Sequence, residues 1–252
     1  MITLSLFFLL NLLKAQTNEW PVEFTKIEKV KYERNSKAKF CKRPLEMVDT
    51  IVFHHSATPS TFTAQRINEL HLERGSPDDP WYMIAYSYAI NSPYGGNVNP
   101  LLKVTEGRPL ELVGAHAGSD AFIPMTEEQK KIWARGEVTC GRENEEFKVD
   151  QELLRGNKIK ANVTTLGIVV IGNYSPFNRL NPLGFSLESP QYLIEDGQDL
   201  AARISCQLQK KYPGIKYIKW HSYYMPTVCP GTIEKSILNI KTLTRKYGCS
   251  FI

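Results

Sequence analysis

Two histidines and a cysteine, His54, His221 and Cys229, are the residues of this 252-residue chain whose types and placement could do chemistry. Two imidazoles and a thiolate suit a tetrahedral Zn2+, and three protein ligands leave the fourth position open, as catalytic rather than structural sites do. Zinc held this way lowers the pKa of water to about 7 and polarises a carbonyl, which together permit hydrolysis at neutral pH. By spacing alone the three residues also admit blander readings: two hydrogen-bonded histidines with a disulfide cysteine, or a thiol hydrolase with Cys229 as nucleophile and His221 as base. The cysteine count bears on the choice. Cys41, Cys140, Cys206, Cys229 and Cys249 are odd in number, so giving Cys229 to a metal leaves four for two disulfides. Three connectivities are open, and the pairing of Cys41 with Cys249 is preferred because it would tie the chain ends together.

These residues need elements to hold them. Residues 48–53 form a β-branched apolar run of strand length that delivers His54, and residues 216–220 form a shorter one that delivers His221. The continuous apolar run LGIVVI at 166–171 fits a strand covered on both faces. Residues 64–74 read as a helix closed by Gly75. Residues 82–90 read as a strand in which Tyr86 and Tyr88 share a face, followed by turn signals at Pro93, Gly95 and Gly96. Residues 101–104 and 110–113 suggest a strand pair around Gly107. Two further helices are expected at 192–212, stopped by Pro213 and Gly214, and at 232–247. Strands and helices alternating around one sheet predict a single α/β domain.

Composition limits the partners. The chain is 42% hydrophobic and 23% charged, a globular balance. Its net charge of +5 falls short of a nucleic-acid-binding signature, and no nucleic acid partner is expected. Residues 26–43 hold eight basic residues against Glu28 and Glu33, and read as an exposed basic arm able to touch an anionic polymer. The run LSLFFLLNLL at 4–13 is too short to span a bilayer as a helix but suits a secretory signal, so residues 1–15 are set apart from the fold and a secreted, periplasmic or extracellular protein is expected. The organisation is then a signal peptide at 1–15, a basic arm at 16–46 and one domain at 47–252, with a polar surface insertion at about 122–161.

Five stretches sharpen this reading: FHHSAT at 53–58, IAYSYAI at 84–90, GAHAG at 114–118, LGIVVIGNY at 166–174 and WHSYYMPTVCPG at 220–231. In that order the chain, over about 47–247, resembles the zinc-dependent N-acetylmuramoyl-L-alanine amidases of the type 2 amidase and peptidoglycan recognition protein superfamily. The resemblance implies a mixed central β-sheet flanked by α-helices, and hydrolysis of the amide between N-acetylmuramic acid and L-alanine in peptidoglycan or muropeptides. It implies Zn2+ on His54, His221 and Cys229, with Tyr86 activating the water or holding the oxyanion. Thr227 falls where members of the family carry a lysine or a threonine. His116 would line the groove near the scissile bond, as a catalytic and substrate-binding residue beside Thr58 and Asn173. His55 takes no metal role, and a monomer is expected. Val169 stands where a related branch has a glutamate, which favours the Tyr86 route. Some members bind peptidoglycan without cleaving it, commonly because the ligand cysteine is replaced; Cys229 is present here.

Overall fold

The computed structural model describes residues 27–78, 80–91, 103–118, 120–175 and 193–252. The expected signal segment, Lys26 and the turn at Pro93, Gly95 and Gly96 therefore lie outside the described residues. In chain order the strands are β1 (Ile27–Glu28), β2 (Phe40–Lys42), β3 (Thr50–His55), β4 (Tyr88–Ile90), β5 (Val104–Glu106), β6 (Phe122–Pro124), β7 (Thr139–Gly141), β8 (Leu154–Arg155), β9 (Lys158–Lys160), β10 (Thr165–Val170) and β11 (Tyr217–Trp220). The helices are α1 (Ala64–Leu72), α2 (Glu127–Ala134), α3 (Ala161–Thr164), α4 (Glu195–Lys211) and α5 (Ile237–Lys246).

A six-stranded sheet, ordered β1-β5-β4-β10-β3-β11, organises the chain. It is mixed: β10 runs parallel to β3 and β4, β11 parallel to β3, and β4 antiparallel to β5. Every residue of β3 and β10 is buried, as expected for central strands covered on both faces. Their side chains alternate. Ile51, Phe53, Leu166, Ile168 and Val170 join one apolar cluster with Leu200, Ile204 and Leu208 of α4 and with Ile237 and Ile240 of α5. Val169 joins the opposite cluster with Ala64 and Ile67 of α1. Thr63 caps α1 by accepting the Arg66 N–H, and α2 opens with a reciprocal box between Thr126 and Gln129. In α4, Glu195 and Asp196 at the start and Lys210 and Lys211 at the end complement the helix dipole.

Several expectations change. Within 82–90 only Tyr88–Ile90 is strand, because the N–H groups of Ile84 and Ala85 bond the side chains of Asn68 and His71 on α1 at 2.6 and 3.0 Å. Tyr86 and Tyr88 consequently do not share a face: Tyr88 packs in the first cluster and Tyr86 against the second. Residues 110–113 form no strand: their pairing with β2 stops at a single antiparallel bridge, Leu112 to Lys42, made by the Arg43 N–H to the Glu111 carbonyl and the Val113 N–H to the Cys41 carbonyl. The final helix begins as a 3-10 stretch at Gly231–Ser236.

Residues 26–43, expected as an exposed arm, are folded into the domain from Ile27 on. Tyr32, Ala38 and Phe40 are buried in the second cluster, β1 edges the sheet, and β2 pairs antiparallel with β7. That pairing sets Cys41 opposite Cys140, and the two form a disulfide; Cys206 and Cys249 form the other, so Cys41 does not join Cys249. The stretch at 122–161 builds a three-stranded sheet, β6-β9-β8, and the stretch's Ile132, Val138, Leu153 and Ile159 pack with Met47 and Val113 of the main body. Among the described residues no helix is long and apolar enough to cross a membrane.

Candidate metal centre and active site

His54 leaves β3 on the face that carries Val169, with its side chain only 1% exposed. His221 follows β11 in the short turn His221–Tyr223, and the Ser222 N–H reaches the Cys229 carbonyl at 2.9 Å, folding the cysteine back over the strand end. The three candidate ligands thereby converge: one ligand atom from each of His54, His221 and Cys229 lies within 4.8 Å of the others. Cys229 Sγ is 3.6 Å from His54 Nδ1, and the rings of His54 and His221 are 4.6 Å apart. A tetrahedral zinc with bonds of about 2.3 Å to sulfur and about 2.1 Å to nitrogen sets those two donor atoms roughly 3.6 Å apart.

A second observation points the same way. Both ring nitrogens of His221 are shut off from solvent and bond nothing in the protein. Such orphaned groups are costly in a fold that satisfies nearly all its buried polar atoms, and a cation on one of the two nitrogens would remove part of that cost. Burial drives His54 well below the usual histidine pKa, helped by His116 and His221, and lowers His221 to about 4, so both offer lone pairs. Burial also pushes the Cys229 thiol up to about 12, against the His55 N–H that donates to Sγ at 3.4 Å. Burial that disfavours the thiolate makes this thiol a poor nucleophile, which argues against the thiol-hydrolase reading; a coordinated cation would turn it into thiolate.

The remaining expected residues divide. Tyr86 comes to the site, its ring 5.1 Å from that of His54 and 5.5 Å from that of His71. Its phenol is held well above the ordinary tyrosine range, first by burial and then by Cys229, and so keeps its proton. Thr227 accepts the Cys229 N–H at 3.2 Å and thus shapes the ligand loop. His116 does not line a groove. It is 4% exposed and sits behind His54, with Nδ1 3.1 Å from His54 Nε2. Thr58 and Asn173 are 2% and 1% exposed, with Thr58 Oγ1 2.7 Å from Ser56 Oγ and Asn173 Oδ1 accepting the Ser175 N–H at 3.2 Å, so neither presents a side chain at the surface. His55 Nδ1 accepts the Tyr174 N–H, away from the cluster.

Four supporting residues escaped the sequence. Asn162 Oδ1 accepts the N–H groups of His116 and Ala117 at 3.0 and 2.6 Å, and its Nδ2 donates to the Gly118 carbonyl at 3.2 Å. Gly167 makes room for the His116 ring, since a Cβ there would lie 2.8 Å from Cγ. Arg43 donates to the carbonyls of Asn162, Val163 and Thr165 at 2.6 to 2.9 Å, and Arg108 to those of Met83, Ile84 and Val113 at 2.6 to 2.9 Å. Burial lowers their pKa values to about 9 and about 10. Only the glycine and the asparagine beside the recognised motifs carried any signal; Arg43 is indistinguishable in sequence from its solvated neighbours. A cleft of about 470 Å3 adjoins the loop that carries His116, lined by Trp81, Tyr82, Ala115, Gly118, Lys160 and Asn162 among others.

No family model and no curated protein matches the chain. Among solved structures it is similar to the N-acetylmuramoyl-L-alanine amidase LysC from Clostridium intestinale, at 21% identity and a TM-score of 0.49 over 86% of this chain and 95% of that one. It is also similar to bumblebee PGRP-SA (16% identity, TM-score 0.49, 85% of this chain and 95% of that one) and to the Drosophila peptidoglycan recognition protein SD (15%, 0.48, 85% and 94%).

Proposed function

We propose that this chain is an exported zinc amidase that hydrolyses the bond between N-acetylmuramic acid and L-alanine in peptidoglycan. The observation that carries the reading is the convergence of His54, His221 and Cys229, with both nitrogens of His221 buried and unpartnered. The five sequence stretches that resemble the amidase superfamily supply the substrate class. When bound, zinc supplies Lewis acidity to the amide carbonyl and acidifies the attacking water. The chain's own residues supply the remainder. His54 and His221 give lone pairs, Cys229 gives a thiolate, and Thr227 holds the Cys229 backbone in place. Tyr86 donates its O–H to the carbonyl oxygen as negative charge grows there. The leaving amine must gain a proton, which the attacking water gives up; with His116 behind His54, Tyr86 would relay it, taking a proton back on its phenol oxygen as it hands its own to the amine.

Two disulfides fit an oxidising compartment. Lys29, Lys31, Arg34, Lys37 and Lys42 remain exposed on the folded 27–43 segment, a fixed basic surface suited to attachment on an anionic wall. The deciding experiment is mass spectrometry of sacculi incubated with the zinc-loaded protein and with Cys229→Ala. Free stem peptides from the former alone, lost on chelation and regained with zinc, are the expected result. Sacculi that bind both proteins and stay intact would reassign the chain to recognition without cleavage.

A further inference from the structure

The geometry points to His116 as a positioning residue that fixes which nitrogen of His54 is free for a metal. This rests on the ligand set proposed above but not on the reaction. The chain of reasoning starts at the far end. His116 Nε2 lies 3.4 Å from the Thr165 carbonyl and 3.2 Å from Thr165 Oγ1. The carbonyl can only accept, and Oγ1 already donates its hydrogen to the Ala161 carbonyl at 2.8 Å. Nε2 of His116 therefore carries the proton, and a neutral imidazole has only one. Nδ1 of His116 is left as an acceptor, 3.1 Å from His54 Nε2. His54 must then be protonated on Nε2, which leaves its Nδ1 lone pair bare, and that is the nitrogen 3.6 Å from Cys229 Sγ.

The seat of His116 is built to hold this orientation. Asn162 ties the loop from His116 to Gly118 with three hydrogen bonds, and Arg43 pins the backbone on both sides of Val163. Gly167 leaves the space the ring fills. A ligand histidine commonly donates its second N–H to a carboxylate, carbonyl or water. Here a second imidazole takes that place, and its own tautomer is set in turn by Thr165, so the backbone of β10 dictates the metal-facing atom of β3.

Two measurements test it. Long-range nitrogen–proton NMR of the zinc-loaded wild-type protein should find both His54 and His116 protonated on Nε2 with Nδ1 bare of hydrogen. A proton on His116 Nδ1, or zinc on His54 Nε2, overturns the proposal. Separately, His116→Ala should weaken zinc binding by about 10- to 100-fold in competition with a chromophoric chelator, the range for lost partners of this kind. His116→Asn, which returns an acceptor near the Nδ1 position, should recover most of that loss. Equal zinc affinity in wild type and His116→Ala overturns it as well. If His116→Ala does not fold, the NMR result on the wild type decides. Zinc bound with this tautomer pattern but without hydrolysis would sink the amidase reading and leave this one standing.

Discussion

The two faces of the central sheet are built from the same two strands and differ in almost every other respect. Toward α4 and α5, β3 and β10 present Ile51, Phe53, Leu166, Ile168 and Val170 to an apolar layer closed by leucines and isoleucines. Toward α1 they present Val52, His54, Gly167 and Val169; Val169 packs in an apolar cluster with Ala64, Ile67 and Met83, but beside it His54 and Gly167 meet a polar patch of His116, Tyr86 and the loop held by Asn162. The first face is held by area removed from water, which is indifferent to direction. The second combines such an apolar layer with a patch of hydrogen bonds whose donors and acceptors must match atom by atom. Burial is equally complete on both, so burial alone does not say where the chemistry is. The difference predicts that stability and metal affinity can be changed separately, one face at a time.

The largest separation should come from the ligands. Cys229→Ser or His54→Ala should reduce zinc affinity by more than the ~10- to 100-fold seen for supporting partners, and abolish hydrolysis, while the metal-free protein keeps its fold. Chelator competition and a thermal melt of the apo form read the two effects. On the opposite face, Ile168→Ala should cost about 2–5 kcal/mol in denaturant unfolding and leave the zinc affinity of the folded protein unchanged. An affinity loss there would break the comparison. Gly167→Ala probes the boundary. The added methyl, 2.8 Å from the His116 ring, should cost about 1–3 kcal/mol of stability and weaken zinc binding too. If only stability moves, His116 is packing and nothing more.

The most gradual effect, spread over several pH units, concerns acid. His71 on α1 is buried, accepts the Ala85 N–H through Nδ1, and has its pKa lowered to about 3 by burial, with Arg74 and Arg108 adding to it. The unfolded chain takes up a proton near pH 6.5 that the folded chain refuses until about 3, so stability falls as pH drops through that window. The slope from this one group is at most about 1.4 kcal/mol per pH unit. His71→Asn, which keeps an acceptor for Ala85, should flatten the acid limb of the unfolding free energy from urea melts by up to about that slope and leave the value at pH 8 nearly unchanged.

The sequence carried the apolar face well. The alternation and β-branched content of residues 48–53 and 166–171 place both central strands within two residues, and the periodicity of 192–212 marks α4. It also brought His54, His221 and Cys229 together as one group before any distance was known. What it missed depends on contacts far apart in the chain. Arg43 looks like the end of a solvated charge run, yet its guanidinium is spent on carbonyls more than a hundred residues away. Nothing local distinguishes such an arginine from Lys42 beside it. The Cys41–Cys140 pairing follows from the β2–β7 register, which no cysteine count reveals. Residues 82–87 look like strand because aromatics and isoleucine favour it, but side chains of α1 take the backbone donors that a ladder would need. His116, Thr58 and Asn173 were expected to meet the substrate because they lie in recognised motifs; motif membership does not distinguish a residue that touches a ligand from one that supports a neighbour.

Asn162 has a practical consequence for producing the protein. With Val163 and Thr164 it forms an Asn-X-Thr acceptor for N-linked glycan, and Asn173 with Tyr174 and Ser175 forms a second. Both asparagines are interior once folded, and the amide nitrogen of Asn162 is the very atom that donates to Gly118. A eukaryotic secretory host can attach sugar while the chain is still open. A glycan on that nitrogen could not be accommodated at 9% exposure and would leave the loop from His116 to Gly118 without its tether. Oxidative folding in a bacterial periplasm forms the disulfides and leaves both amides bare, and replacing both Thr164 and Ser175 by alanine gives a eukaryotic route to the same end.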